Sequence, residues 1–140
     1  MKRPIIIDTD PGFDDAVTLL MALQCPDLDI RAITTVAGNS SLANTTRNAL
    51  QLIEFVGRHD VAVAAGAAAP LLRPLETAEV VHGPTALAEV ILPPPRQKLP
   101  DIHAAELIAA QIRQSPDAIT ICALGPLTNI ALALGLLGSA

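Results

Sequence analysis

Apolar residues along this chain fall into short unbroken runs separated by stretches with helical spacing, and the two patterns alternate. Pro4-Ile5-Ile6-Ile7 is a β-branched run of the kind that forms a strand buried on both faces. A turn follows at Asp10-Pro11-Gly12. Asp14 and Asp15 then open a helix that carries Ala16, Val17, Leu19, Leu20 and Met21 to about Leu23, and Pro26 ends it. Ile30 to Val36 reads as a second strand. Leu42 to Val56 reads as a helix with Leu42, Ala49, Leu50, Ile53 and Val56 on one stripe, stopped by Gly57. Val61 to Ala64 is a third, short strand. Ala65 to Gly83 contains Gly66, Pro70 and Pro74 and reads as a long loop, a length usually tied to function. A short helix is expected over Thr85 to Ile91, followed by a stiff proline-rich connection from Pro93 to Pro100. The pattern then predicts a helix from about His103 to Gln114 capped by Asp101, and a fourth strand from Ala118 to Ala123. Pro126 fits the first turn of a last helix.

Four alternations of apolar strand and helix predict an α/β chain. The expected form is a doubly wound, mostly parallel, Rossmann-like sheet with helices on both faces, within a single domain over residues 1–140. Such sheets bind ligands beyond the carboxyl ends of their strands. The predicted ends fall at Asp8-Thr9-Asp10, Ala37-Gly38-Asn39 and Leu124-Gly125.

Composition then removes several classes of function. The 140 residues are 51% hydrophobic and 16% charged, which excludes a disordered or low-complexity chain. A net charge of −5 and a pI near 4.9 argue against nucleic acid and anionic lipid as partners. With no Trp or Tyr and only Phe13 and Phe55, a base-stacking platform is missing. The apolar run after Met1-Lys2-Arg3 is too short for a signal-peptide core. The most apolar stretch, Ala118 to Leu137, is broken by Gly125, Pro126, Thr128 and Asn129, which speaks against a membrane span. The chain therefore reads as cytoplasmic. Cys25 and Cys122, without a C-x-x-C pair, read as buried thiols rather than a disulfide.

The densest chemistry is acidic. Asp8, Asp10, Asp14 and Asp15 place four carboxylates within eight residues, and no Lys or Arg lies between Arg3 and Arg31. Two like charges about 4 Å apart repel by roughly 1 kcal/mol in water and about 4 kcal/mol at an effective dielectric of 20. Capping and the helix dipole account for one or two such acids and leave the others unexplained. An all-oxygen ligand set favours Ca²⁺ or Mg²⁺ over zinc. The D-x-D spacing after an apolar strand also fits a Mg²⁺ phosphatase of the haloacid dehalogenase type, with Asp8 as nucleophile. Against that, Gly12 stands where such motifs carry Thr or Val, and the Asp14-Asp15 pair is foreign to them.

Asp8-Thr9-Asp10-Pro11-Gly12-Phe13-Asp14-Asp15-Ala16 closely resembles the signature of the inosine–uridine nucleoside hydrolase family. Four further segments agree in order: Thr34 to Asn39, Thr45 to Leu50, Val81-His82-Gly83, and Leu124-Gly125-Pro126-Leu127-Thr128-Asn129-Ile130-Ala131. The resemblance implies a nucleoside hydrolase fold and Ca²⁺ at the bottom of a pocket. It also implies cleavage of the N-glycosidic bond of a ribonucleoside, such as inosine or uridine, to ribose and free base. By this resemblance Asp10, Asp15 and the backbone carbonyl of Leu124 hold the metal, and Asp14 and Asn39 hold ribose hydroxyls. Asp10 takes the proton from a metal-bound water that attacks the anomeric carbon. His82 is placed beside the leaving base, although a lone loop histidine is ordinarily a surface residue. Asp8 orients the loop from behind the ligands. Arg47 and Asn48 support loops, and His59 and His103 read as surface residues. Taken without the resemblance, Asn39 is equally an ordinary turn or cap residue.

Two departures stand out. Ala86 occupies a position where the family usually has glycine, which bears on the loop after His82. Family members also run on well past Ala140, and their later half supplies another Asp to calcium, a His near the leaving base and further ribose contacts. The segment Ile130 to Leu137 is apolar on every side and needs cover all round. The expectations are therefore a truncated chain, weak metal binding, little or no turnover in isolation, and a homo-oligomer rather than a clean monomer. A non-catalytic cation-binding remnant or assembly subunit is the third reading.

Overall fold

The computed structural model describes residues 2–138. Its elements run β1 (Arg3–Thr9), α1 (Phe13–Gln24), β2 (Leu28–Thr35), α2 (Leu42–Phe55), β3 (Ala62–Ala65), α3 (Glu79–His82), α4 (Ala104–Gln114), β4 (Thr120–Ala123) and α5 (Thr128–Gly138). The four strands form one parallel sheet in the order β3-β2-β1-β4. Inner strand β1 pairs along its whole length with β2 and through Ile5–Asp8 with β4. Pairing passes from Ile5↔Ile30 to Ile6↔Ala32, so Arg31 bulges out of the ladder, where it bonds Asp29 at 2.7 Å on the surface.

Alternation along β1 sorts the two cores. Ile5 and Ile7 face a cluster with Ala16, Leu19 and Leu23 of α1 and Ala49, Leu52 and Ile53 of α2. Ile6 faces the opposite cluster, with Ala105 and Ile108 of α4 and Ala133 of α5. Two helices therefore cover each face, and the doubly wound α/β arrangement is present. All three isoleucines are buried, which is why the run carries no polar position.

Three local expectations give way. Thr85 to Ile91 is not helical; the only helix in this region among the described residues is the single turn α3, upstream of it. The reason is tertiary. Asn44 and Asn48 donate to the Pro84 and Thr85 carbonyls at 3.1 and 2.7 Å, and Ala86 and Ala88 adopt positive φ of 66° and 52°. The side-chain bonds compete with a helical ladder, and residues at positive φ cannot continue a right-handed helix. The cap of α4 is His103, whose Nδ1 accepts from the Ala105 N–H at 3.2 Å; Asp101 lies two residues too early, and His103 is not a free surface residue. Pro126 precedes α5 rather than sitting in its first turn. Cys25 and Cys122 are unpaired as expected, but half-buried rather than buried.

Ala86 carries a further consequence. An L-residue in the left-handed region costs roughly 1–2 kcal/mol, and the added freedom of glycine in the unfolded chain returns about 0.4–1 kcal/mol. Removing the buried Ala86 methyl costs about 0.8 kcal/mol in the other direction, so Ala86→Gly should leave stability within about 1 kcal/mol of wild type, read from the midpoint of a urea titration.

On the outer side of the sheet, β4 has no further strand neighbour among the described residues. In α5, Leu134 and Leu136 remain 62% and 38% exposed, and Leu127 just before it 62%. No helix among the described residues is long and apolar enough to cross a membrane.

Candidate functional site

Loops leaving the carboxyl ends of β1, β2 and β4 meet in a hollow of about 330 Å³ lined by Asp10, Asp14, Asp15, Thr18, Asn39, Leu124, Gly125 and Pro126. Five of the six residues singled out in the sequence thus share one wall, although they lie up to 114 positions apart in the chain. Asp14 and Asp15 arrive on the first turn of α1, where carboxylates also favour the helix dipole.

Asn39 ties the acids together. Its backbone N–H donates to Asp10 Oδ2 at 2.7 Å, and its Nδ2 donates to the Asp10 carbonyl at 3.0 Å and to Asp15 Oδ2 at 3.2 Å. Asp15 also receives the Thr9 hydroxyl at 3.0 Å and the Gly12 N–H at 3.4 Å. Asn39 is therefore more than a turn residue. Both of its amide hydrogens are engaged in holding the acids, which leaves its Oδ1 as the atom to accept a hydroxyl from a ligand.

Backbone approach is as close as the hydrogen bonds are short. A Cβ at Gly38 would lie 2.1 Å from Asp10 Oδ2, and one at Gly125 would lie 2.9 Å from Asp10 Oδ1. Only glycine lets two loops close on that carboxylate from both sides.

Crowding shows in the acid strengths. Burial, opposed by the Asn39 N–H and reinforced by the charges of Asp15 and Asp14, pushes Asp10 from 3.8 up to about 6. Burial also raises Asp15, against its bonds from Thr9 and Gly12, and raises Asp8, against bonds from Asn129 and Thr34.

Asp8 lies beneath the hollow rather than in it. It is fully buried, its Oδ1 accepts from Thr34 at 2.6 Å and from Asn129 at 2.8 Å, and its backbone carbonyl accepts the Leu124 N–H at 2.7 Å. A phosphatase nucleophile must meet its substrate, so this burial removes the phosphatase reading.

His82 is not on the wall of the hollow. It is 8% exposed, at the end of α3, with its ring 4.6 Å from that of Phe13 and tilted 55° to it. A Cβ on Gly12 would come within 2.8 Å of its Nδ1 and 2.9 Å of Asn39 Nδ2, so His82 and Asn39 flank Gly12. Its Nδ1 is buried without a hydrogen-bond partner in the described structure. The ordinary surface histidine is thus excluded.

Two asparagines of structural weight carried no individual role in the sequence reading beyond loop support. Asn48 donates to the Pro11 carbonyl at 3.1 Å as well as to Thr85, tying the loop after β1 to the segment after His82. Asn129 is wholly buried at the start of α5 and bonds three strand ends. The available signal was a polar side chain opening an otherwise apolar helix.

An all-oxygen set of Asp10, Asp15 and the Leu124 carbonyl suits a hard divalent cation, and neutralising the repulsion around Asp10 gives such an ion a reason to bind. Among the described residues no three His, Cys, Asp or Glu side chains are grouped to hold an ion by themselves, so a cation here must draw on backbone oxygen or water as well.

Comparison with known proteins places the fold. The model of the inosine-uridine preferring nucleoside hydrolase family matches residues 5–137. The pyrimidine-specific ribonucleoside hydrolase RihA of Photobacterium profundum is 48% identical over 134 residues, covering 96% of this chain and 43% of that protein. Uridine nucleosidase 1 of Arabidopsis thaliana is 49% identical over 131 residues, covering 93% of this chain and 39% of that one. The solved structure of the plant nucleoside hydrolase PpNRh1 superposes with a TM-score of 0.92 at 40% identity, over 97% of this chain and 43% of that one. The chain spans about two fifths of the length of the curated relatives it matches.

Proposed function

The chain belongs to the inosine-uridine preferring nucleoside hydrolase family, and from that membership we propose that it forms the cation- and ribose-binding part of a calcium-dependent N-ribohydrolase. The reaction is hydrolysis of the N-glycosidic bond of a ribonucleoside to ribose and free base. One observation carries the reading: Asp10, Asp14, Asp15, Asn39 and Leu124 converge on one hollow at the strand ends.

A Ca²⁺ held by Asp10, Asp15 and the Leu124 carbonyl would supply Lewis acidity and compensate the crowded carboxylates. The rest of the chemistry falls to the chain's own side chains. Asp10 is the carboxylate placed to take a proton from an attacking water; its value of about 6 belongs to the cation-free site, and a bound cation would favour the ionised form that acts as the base. Asp14, exposed on the rim, and Asn39 Oδ1 accept ribose hydroxyls and set the ring against that water. The same carboxylates offset the positive charge that develops on the sugar as the base departs. For His82 the proposed part is a proton donor toward the leaving base. Two relatives near half-identical to this chain are named for pyrimidine or uridine specificity, so pyrimidine ribonucleosides are the first substrates to test.

The matched relatives are more than twice as long, so the residues described here make up part of a site. Taken alone, the 140 residues are expected to bind calcium weakly and turn over little. The test is reducing-sugar release from uridine, cytidine and inosine by a version extended to the relatives' length, with calcium and after its chelation. Calcium-dependent release supports the proposal; no release from any ribonucleoside at saturating calcium overturns it.

The acid strengths give a signed expectation. With a folded value of about 6 against an ordinary 3.8, Asp10 contributes stability to the cation-free fold that is complete below its unfolded value and lost as pH rises through the folded one. A cation favours the ionised form, so binding releases a proton. Calcium affinity should therefore rise about tenfold per pH unit below about 6 and flatten above it, measured by titration calorimetry across that range.

A further inference from the structure

Beneath the hollow lies a buried polar junction that the chemistry above does not use. Asn129, with no exposed surface, donates from Nδ2 to Asp8 Oδ1 at 2.8 Å and to the Thr35 carbonyl at 2.9 Å, and its Oδ1 accepts the Ala67 N–H at 2.8 Å. Each partner stands at a different strand end: Asp8 on β1, Thr35 on β2, Ala67 just past β3. Asn129 itself follows β4 by one short turn, whose Leu124 and Gly125 N–H groups both donate to the Asp8 carbonyl, at 2.7 and 3.3 Å. One side chain therefore links the carboxyl ends of all four strands, the edge from which the hollow opens. Gly66 is shaped to it, since a Cβ there would lie 2.1 Å from Asn129 Oδ1.

The asparagine amide suits this role for a reason of valence. The junction presents two acceptors, a carboxylate oxygen and a carbonyl, and one donor, an N–H. Asn offers two donors and one acceptor and satisfies all three. Asp, Leu or Ser leaves at least one buried group unpaired, at a cost of about 1–3 kcal/mol each. The span it fixes is the one that matters for a cation. Asp10 leaves the end of β1 and the Leu124 carbonyl leaves the end of β4, and Asn129 and Asp8 bolt these two ends together.

We propose that Asn129 is a positioning residue for the cation site, holding the Leu124 carbonyl at its working distance from Asp10 and Asp15 without touching the ion. The inference rests on the cation-site reading above and adds a residue to it.

Asn129→Asp is the informative change, because it is isosteric and its sign is diagnostic. An added negative charge near the site strengthens cation binding if electrostatics alone matter, whereas lost positioning weakens it. Titration calorimetry with Ca²⁺, in wild type and in Asn129→Asp at pH about 8, should show affinity lower by about 10- to 100-fold, the usual effect of an outer-shell partner. Thermal melting identifies the folded fraction. Equal or tighter binding by the folded variant overturns the proposal and leaves the cation site standing. A wild type that binds no Ca²⁺ removes the cation site itself, and this proposal with it. A second measurement needs no variant. Coupling between sites is reciprocal, so saturating Ca²⁺ should slow hydrogen exchange at the Ala67 N–H in the wild type. Unchanged exchange there, with Ca²⁺ bound, refutes the positioning role even if Asn129→Asp fails to fold.

Discussion

Asp10→Asn should cost the protein its calcium while making the calcium-free fold more stable. The substitution keeps the shape and the acceptor that Asn39 N–H uses at 2.7 Å. It deletes a charge that burial and the neighbouring Asp15 and Asp14 already penalise. Displacement from 3.8 to about 6 corresponds to on the order of 3 kcal/mol. Part of that is returned because the new amide hydrogens need partners, so a gain of about 1–2 kcal/mol near pH 8 is expected, several degrees of melting temperature for a domain of this size. Calcium affinity should fall by more than the 10- to 100-fold typical of an outer-shell change, since a proposed ligand is lost. In a version of the relatives' length, removal of the base should lower turnover by about 10²–10⁴-fold. Melting with and without calcium separates the two effects. A variant whose melting temperature still rises with added calcium contradicts the assignment of Asp10.

Gly38→Ala should damage the same site without changing its charge. The new methyl would stand 2.1 Å from Asp10 Oδ2, 2.9 Å from its Cγ and 2.8 Å from the Pro126 ring. No real contact is that close, so the carboxylate must turn away and give up its bond from Asn39. Overpacking of this kind costs about 1–3 kcal/mol in stability. The displaced carboxylate should weaken calcium binding by about 100-fold, on the scale of lost outer-shell support or worse. Gly135 supplies the control, since a Cβ there meets nothing within 4 Å. Gly135→Ala in α5 should leave calcium affinity unchanged and stabilise the helix by about 0.5–1 kcal/mol. Calorimetry on both variants decides; equal affinity at Gly38→Ala and wild type would mean that the Asp10 carboxylate is not held where the loops close.

Much of this site could be read in the amino-acid order because short-range signals dominate there. Ile5 to Ile7 must be buried on both faces, Asp14 and Asp15 sit in a first helical turn, and Gly38 and Gly125 sit at strand ends, so each residue's neighbourhood follows from its own segment. The signature at Asp8 to Ala16 then brought together residues from distant loops, which spacing alone could not do. What escaped the reading depends on contacts across the fold. Thr85 to Ile91 has helical composition, but its carbonyls serve Asn44 and Asn48 of α2. His82 follows two valines in what reads as a long loop, yet it is buried because Phe13 and Gly12 pack on it. Asn129 has three partners at positions 8, 35 and 67, and no local pattern announces them.

The departure at Ala86 is instructive in the same way. The backbone there requires a positive φ, and the chain meets it with an alanine at φ 66°. The loop is held by the Asn48 bond to the Thr85 carbonyl and by the burial of Ala86 and Leu87.

Anomalous diffraction from crystals of the protein grown in excess calcium tests the central claim directly. One peak is expected in the hollow, flanked by the Asp10 and Asp15 carboxylates and the Leu124 carbonyl. A well-ordered hollow holding no anomalous scatterer at saturating calcium, with those three groups bridged by water alone, would contradict it.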